Sequence, residues 1–97
     1  MAVYIKQTET GFELAGSLHA SHAHEVRRFF EFQLGRKENL NIELHNLEDI
    51  DLSSVMMLDN LRTTAQATGC ELSISTGFND RIMGPFRQLN EPRLVSA

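Results

Sequence analysis

The N-terminal residues alternate between apolar and polar side chains, which is the pattern of a β-strand with one buried face. The stretch AVYIKQ at residues 2–7 is rich in β-branched and aromatic side chains. After a turn that contains Gly11, the segment Phe12-Glu13-Leu14 resumes the period of two. Two short strands joined in this way pair antiparallel. The sequence therefore predicts a β-hairpin over the first sixteen residues, ending at Gly16.

After Gly16 the apolar period becomes helical. Residues at spacings of three or four form one apolar face, and they are Ala23, Val26, Phe30 and Leu34. We expect Ser17 or Ser21 to cap the start of this helix. We expect Gly35 to end it in a left-handed conformation, with basic residues 36 and 37 beside the negative end of the helix dipole.

The next predicted strand follows this helix and can therefore run parallel to an earlier strand, inside the sheet. Its alternating apolar residues are Leu40, Ile42 and Leu44. Residues 46–51 are predicted to form an acidic loop.

A second apolar stripe with helical spacing follows this loop, and the predicted helix ends at Gly69. The residues of the stripe are Val55, Leu58, Leu61 and Ala65.

The last strand is predicted from the alternation of Cys70, Leu72 and Ile74 with polar residues. Asn79 or Asp80 can cap a final helix, which the pair at 84–85, Gly-Pro, is expected to bend or delay. The order strand, strand, helix, strand, helix, strand, helix predicts an α/β fold with a mixed sheet. We expect one domain over residues 1–97, with residues 91–97 as a disordered tail.

Composition narrows the possible functions. The chain has 97 residues, of which 41% are hydrophobic and 23% charged, as in a globular domain with one core. A formal charge of -4 argues against a nucleic-acid partner, which would need a basic surface. The single Cys70 can form neither an internal disulfide nor a cysteine zinc site, which fits a reducing cytoplasm. The sequence has no apolar run long enough to insert into a membrane and no leader pattern.

Candidate metal sites are weak. The histidines at 19, 22 and 24 lie close together, but no Cys or clustered carboxylate accompanies them, so we expect no metal there. Three acids, Glu48, Asp49 and Asp51, resemble a magnesium cluster. A solvated loop whose last carboxylate caps the next helix is the favoured interpretation.

No catalytic motif stands out either. Ser53 and Ser54 lack a surrounding Gly-x-Ser-x-Gly turn, and the isolated glycines form no phosphate-binding loop. We therefore expect a protein without enzymatic activity and without a cofactor.

The start of the second helix is the most informative segment. Val55, Met56, Met57 and Leu58 are consecutive apolar residues, but a helix on a sheet buries only a stripe. We expect at least one of them to point outward or sideways. Met56 is the candidate, and a fully packed core position for it is the open alternative. Ser53 and Ser54 would lie in the first helical turn, where free N–H groups favour an added phosphate. The acidic residues nearby oppose that phosphate.

The segment Ile42 to Leu61, reading IELHNLEDIDLSSVMMLDNL, resembles a STAS domain, the sulfate-transporter and anti-sigma-factor-antagonist family. The stretch FELAGSL at residues 12–18 is similar to an early strand of that family. The resemblance implies a STAS-like fold: a mixed four- to five-stranded sheet with an N-terminal antiparallel hairpin and three to four helices.

In bacterial anti-sigma antagonists the corresponding loop reads Asp-Ser-Ser-Gly, and the first Ser is phosphorylated by a kinase that is itself the anti-sigma factor. Here Asp51 matches the Asp, Leu52 replaces the phosphorylated Ser, Ser53 matches the second Ser, and Ser54 replaces the Gly. Two interpretations stay open. Either Ser53 is the acceptor, or the protein is not switched by phosphorylation.

The resemblance implies a cytoplasmic signalling module whose partner is an anti-sigma factor or kinase-like protein. Its expected contact residues are Asp51, Leu52, Ser53, Met56 and Met57, and its candidate phosphoacceptors are Ser53 and Ser54. A second hypothesis is a non-phosphorylated STAS subunit of a lipid-transport ATP-binding-cassette system or of a signalling scaffold. A third is nucleotide or small-molecule binding in the same loop. The oligomeric state stays open.

Overall fold

The computed structural model describes residues 2–90 of the chain. Its strands and helices follow the predicted α/β order: β1 (Val3–Gln7), β2 (Phe12–Leu18), α1 (Ala20–Leu34), β3 (Leu40–Glu43), β4 (Leu47–Ile50), α2 (Leu52–Ala67), β5 (Leu72–Ser75) and α3 (Met83–Asn90). A 3₁₀ turn (Asp80–Ile82) leads into α3. The predicted tail over residues 91–97 lies outside the described residues.

The strands form one mixed sheet in the order β1-β2-β3-β5, and β4 pairs separately with β2. β1 and β2 are antiparallel, which confirms the predicted hairpin, although β2 continues to Leu18, two residues beyond the predicted end at Gly16. The pairs β2 with β3, β2 with β4 and β3 with β5 are all parallel. β3 therefore lies inside the sheet, as its alternating pattern predicts.

The prediction of an acidic loop over residues 46–51 is wrong, because most of that segment is strand β4. Leu47 and Ile50 are buried, whereas Glu48 and Asp49 between them are exposed. The strand pairs with the second half of β2, with a register shift between Gly16 and Ser17. This pairing supplies the backbone hydrogen bonds that a loop would have left to water.

The connection between β3 and β4 is held by a residue far along the chain. The side-chain amide of Asn79 donates hydrogen bonds to the carbonyl oxygens of Leu44 at 2.8 Å and Leu47 at 2.7 Å. The Asn79 side chain also accepts a hydrogen bond from the backbone N–H of Arg81, which confirms the predicted cap of the last helical segment. The buried amide therefore fixes the path of the chain into β4.

The predicted ends of α1 need correction. His19 is its N-cap residue and makes no side-chain capping bond, while Ser17 lies buried in β2 and Ser21 lies inside the first turn. Gly35 has right-handed helical angles, and the residue with positive φ is Lys37, at 59°. The helix thus continues smoothly into a turn before the chain reverses.

One hydrophobic core lies between the sheet and the helices. The predicted stripes of α1 and α2 both face it, with Phe30, Leu58 and Leu61 fully buried. Gly69, with φ of 82°, ends α2 in the left-handed conformation that the sequence predicts. The same packing fixes α2 rigidly along the sheet, so that its N-terminus lies where β4 ends.

Candidate functional site

The site is built around the carboxylate of Asp51, the N-cap residue of α2. Asp51 Oδ1 accepts hydrogen bonds from the backbone N–H of Ser54 at 2.9 Å and from the hydroxyl of Ser53 at 3.1 Å. Asp51 Oδ2 accepts a hydrogen bond from the backbone N–H of Ala20 at 2.8 Å. Asp51 therefore caps α2, as the sequence predicts, and also binds the first residue of α1.

This double contact explains how α1 begins although its own N-cap residue makes no side-chain capping bond. The first N–H groups of a helix have no partner within the helix, and His19 supplies no side-chain acceptor to them. Asp51 supplies one from the neighbouring helix instead. Because β2 and β4 are parallel and adjacent, the residues that follow them, His19 and Asp51, leave the sheet side by side.

The hydrogen bonds hold Asp51 in its ionised form. Partial burial raises the pKa of Asp51, but hydrogen bonding from Ser54, the Ala20 N–H and Ser53 outweighs it and keeps the pKa below the ordinary value of 3.8. The start of both helices therefore carries a fixed negative charge at neutral pH. That charge complements the positive ends of the two helix dipoles.

A second contact joins the same segments. His19 Nε2 lies 2.7 Å from Asp49 Oδ2, with the two side chains 28% and 54% exposed. Both lie beside Asp51, His19 next to Ala20 on α1 and Asp49 on β4. The α1 start and the β4–α2 connection are thus joined at two points on the surface.

The residues predicted to contact a partner differ in exposure. Ser53 is exposed in the first turn of α2, Leu52 before it is partly exposed, and Met56 one turn later is 47% exposed. The prediction that Met56 points outward is confirmed. Together these side chains form a small surface of one hydroxyl and two apolar groups beside the Asp51 carboxylate, which we call the α2-start surface.

Two of the predicted site residues need correction. Ser54 has no exposed surface and Met57 is only 8% exposed, because both belong to the side of α2 that packs on the core. The Ser54 hydroxyl is close enough to Asp51 to favour its ionised form, yet it makes no hydrogen bond of ordinary geometry with any described residue. In the folded chain Ser54 is out of reach of a kinase and Met57 offers little contact surface.

The histidines and acids are distributed among other contacts. Within residues 2–90 no group of three or more His, Cys, Asp or Glu side chains is arranged to share a metal ion. His22 Nδ1 lies 3.3 Å from the Ser21 hydroxyl, and Glu48 points into solvent. Asp49 and Asp51, predicted as neighbours in a loop, contact adjacent residues at the start of α1, namely His19 and Ala20.

The chain has a five-stranded mixed sheet that starts with an antiparallel hairpin, and its helices begin at the edge of that sheet. This arrangement defines the class of small α/β domains that includes the STAS fold. The profile of the STAS domain family matches residues 1–91, and the chain belongs to this family. The resemblance seen in residues 42–61 is thereby confirmed.

Among solved structures, an anti-sigma-factor antagonist STAS domain from Rhodobacter sphaeroides is similar to this chain. The two are 21% identical, with a TM-score of 0.57, and the alignment covers 77% of this chain and 85% of that chain. At this level of identity the likeness shows the fold alone. No curated protein matches the chain. None of the helices within residues 2–90 has the length and apolar composition needed to cross a bilayer.

Proposed function

We propose that this STAS domain is a non-catalytic cytoplasmic signalling module that binds a partner protein through the α2-start surface. The proposed partner is an anti-sigma factor with serine-kinase activity, so that the chain acts as an anti-sigma-factor antagonist. The observation that carries the proposal is the exposed Ser53 hydroxyl, hydrogen-bonded to Asp51 and flanked by Leu52 and Met56.

The chemistry of this surface suits protein recognition. Met56 has a flexible, polarisable side chain that adapts to a partner, and burial of Leu52 would add hydrophobic free energy. The backbone beneath them is fixed, since Ser54, Val55 and Met57 are buried on the opposite side of the helix. A preorganised surface loses little conformational entropy on binding, which favours affinity.

Phosphorylation of Ser53 would change this surface more than the fold. Ser53 would lose its hydrogen bond to Asp51 and bring a charge of about -2 next to that carboxylate. The N-terminus of α2 favours the phosphate by about 0.3 to 1 kcal/mol, but the charges of Asp51 and Asp49 oppose it. Phosphorylation would therefore present a bound partner with added negative charge in place of the Ser53 hydroxyl.

Two measurements test the proposal. Affinity capture of the chain from its source cells should recover a kinase-like anti-sigma factor, and Met56→Asp should abolish that recovery without unfolding the domain. Incubation with that kinase and ATP, followed by mass spectrometry, should place one phosphate on Ser53, and Ser53→Ala should remove it. Recovery unchanged by Met56→Asp would contradict the proposed docking surface.

The presence of Leu52 where the family carries its phosphoacceptor favours one alternative. In that case the chain is a constitutive STAS subunit of a lipid-transport ATP-binding-cassette system or of a signalling scaffold. The α2-start surface would then bind at a fixed stoichiometry, and Ser53→Ala and Ser53→Asp would leave binding unchanged. Recovery of a transporter ATPase or a scaffold in the capture experiment would favour this alternative over the kinase.

A further inference from the structure

The described part of the chain has two layers, which leaves the far side of the sheet without a covering helix. The buried residues of the helices belong to the core on one face. On the other face the strand residues are half-exposed or exposed, among them Tyr4 on β1, Glu13 and Ala15 on β2, and Glu43 on β3. We call this the open sheet face.

The open sheet face combines an aromatic side chain with two neighbouring carboxylates. Tyr4 is 65% exposed and pairs with Ala15, a small residue that leaves space beside the ring. Glu13 and Glu43 are direct neighbours across β2 and β3, and Lys6 lies on the other side of Glu13. The acidic side chains outnumber the basic one in this row.

Hydrogen bonds hold both carboxylates in place. Glu43 Oε1 accepts from the Thr10 hydroxyl at 2.7 Å, and Glu13 Oε2 accepts from the Asn46 amide at 3.2 Å. The second oxygen of each carboxylate has no hydrogen-bond partner among residues 2–90. Two fixed acceptor oxygens are thus available to a donor from another molecule.

The outer face of α1 carries complementary groups. Phe32 is 71% exposed, and Arg28, one turn before it, is exposed and makes no ion pair with any described residue. The segment 25–37 has basic residues at 27, 28, 36 and 37 and two acids, Glu25 and Glu31, of which Arg27 engages Glu31 at 3.6 Å. We call this the α1 outer face. It lies on the side of the molecule opposite the open sheet face.

The two faces also match in spacing. Arg28 and Phe32 are four residues apart on a helix, which separates them by about 6 Å along its axis. On the open sheet face the row of Tyr4 and Ala15 lies two strand residues from the row of Glu13 and Glu43, or about 7 Å. A helix laid along the strands could therefore bring Phe32 over Tyr4 and Arg28 over the carboxylates.

We propose that a second copy of this chain docks its α1 outer face on the open sheet face, so that the domain self-associates head to tail. Contacts between two different faces of the same molecule repeat from copy to copy, unlike those of a two-fold dimer. The Tyr4 and Phe32 rings supply apolar contact, and Arg28 supplies the charge-assisted hydrogen bonds. The α2-start surface lies elsewhere and stays accessible in such an array.

Sedimentation velocity of the purified chain over a range of concentrations tests this proposal. At low salt the mass should rise with concentration beyond that of a dimer, and high salt should weaken the association about tenfold, because ions screen the Arg28 contact. A mass that stays at that of the monomer at low salt would overturn the proposal. So would association that high salt leaves unchanged.

Two variants make the test specific. The first, Arg28→Glu with Phe32→Ser, changes only the α1 outer face, and the second, Tyr4→Ser with Glu13→Lys, changes only the open sheet face. Each alone should be monomeric, whereas an equal mixture should form a dimer and stop there, because each variant contributes its one intact face. Gln66→Ala, an exposed change elsewhere on α2, should associate like the parent chain.

All of the changed residues are at least partly exposed, so the variants should keep the circular dichroism spectrum and melting temperature of the parent chain. A mixture that stays monomeric would overturn the head-to-tail arrangement. Variants that still associate alone would overturn the choice of faces. Both results are independent of the α2-start surface, so failure here would leave the proposed partner binding intact.

Discussion

The carboxylate of Asp51 accepts a hydrogen bond from the backbone N–H of Ala20 at 2.8 Å, and this bond joins the starts of α1 and α2. The same carboxylate caps α2 through Ser54. One side chain therefore satisfies N–H groups of two helices that are 31 residues apart at this contact. The α2-start surface depends on Asp51 for its position relative to α1.

Replacement of Asp51 should lower the free energy of unfolding by more than the loss of one helix cap does. Asp51→Ala removes the acceptors of both helices, and a single cap is worth roughly 0.5 to 2 kcal/mol, so we expect a loss of about 2 kcal/mol in the free energy of unfolding. Asp51→Asn keeps one acceptor oxygen, so its free energy of unfolding should lie between those of the parent chain and Asp51→Ala. Urea denaturation measures all three proteins. Equal stability of the Asn and Ala variants would contradict the double role.

The stability of the domain should fall in acid because of the same residue. Folding lowers the pKa of Asp51, so the folded state favours the carboxylate. That contribution is fully present above the unfolded value near 3.8 and is lost as the pH falls through the lower folded pKa. In thermal melts between about pH 6 and pH 3, the parent chain should therefore lose more stability than Asp51→Asn. Parallel curves for the two proteins would contradict this assignment.

Ser54→Ala should leave the domain as stable as before or make it slightly more stable. The Ser54 hydroxyl is fully buried and has no hydrogen bond of ordinary geometry with a described residue. Its removal relieves a desolvation cost of about 1 kcal/mol, against the loss of a favourable influence on Asp51. Chemical denaturation would show this, with Ser53→Ala as the exposed control. A loss above about 1 kcal/mol would indicate that the hydroxyl is bonded after all.

Alanine variants of the neighbouring Met56 and Met57 test which side of α2 faces the core. Met57→Ala should destabilise the fold by about 2 to 3 kcal/mol, because truncation of a buried methionine leaves a cavity. Met56→Ala should change stability by less than about 0.5 kcal/mol but should weaken binding of the proposed partner. Denaturation and a binding titration on the same samples separate the two effects. The reverse ranking of the two stabilities would contradict the observed orientation of the helix.

Periodicity predicted the parts of the fold that are regular. The apolar stripes of α1 and α2, the N-terminal hairpin and the interior position of β3 all follow from spacing, because each buries one face against a common core. The spacing of apolar residues did not predict β4. Its buried Leu47 and Ile50 are separated by two exposed acids rather than one, and its pairing with β2 depends on a register shift that no local pattern signals.

In the candidate site, too, the sequence predicts the local features but not the contacts between distant residues. The helix start at Asp51 follows from sequence, because a capping residue is a local property. The width of a buried stripe indicates that one residue of 55–58 points away from the core, but only the structure identifies it as Met56. The contact of Asp51 with Ala20 joins distant residues and depends on which strands are neighbours. Adjacency in sequence predicts the same role for Ser54 and Ser53, yet Ser53 is exposed and Ser54, one residue further along the helix, is buried in the core.

The amide of Asn79, which binds both ends of the β3–β4 turn, has a consequence for synthesis of the chain. A ribosome releases β2, β3, β4 and α2 well before residue 79, so the nascent sheet emerges with the carbonyls of Leu44 and Leu47 still bonded to water. Closure of the turn waits until Asn79 has been synthesised and has left the ribosome. The segment that precedes Asn79 should therefore remain open to proteases and chaperones until that residue has emerged.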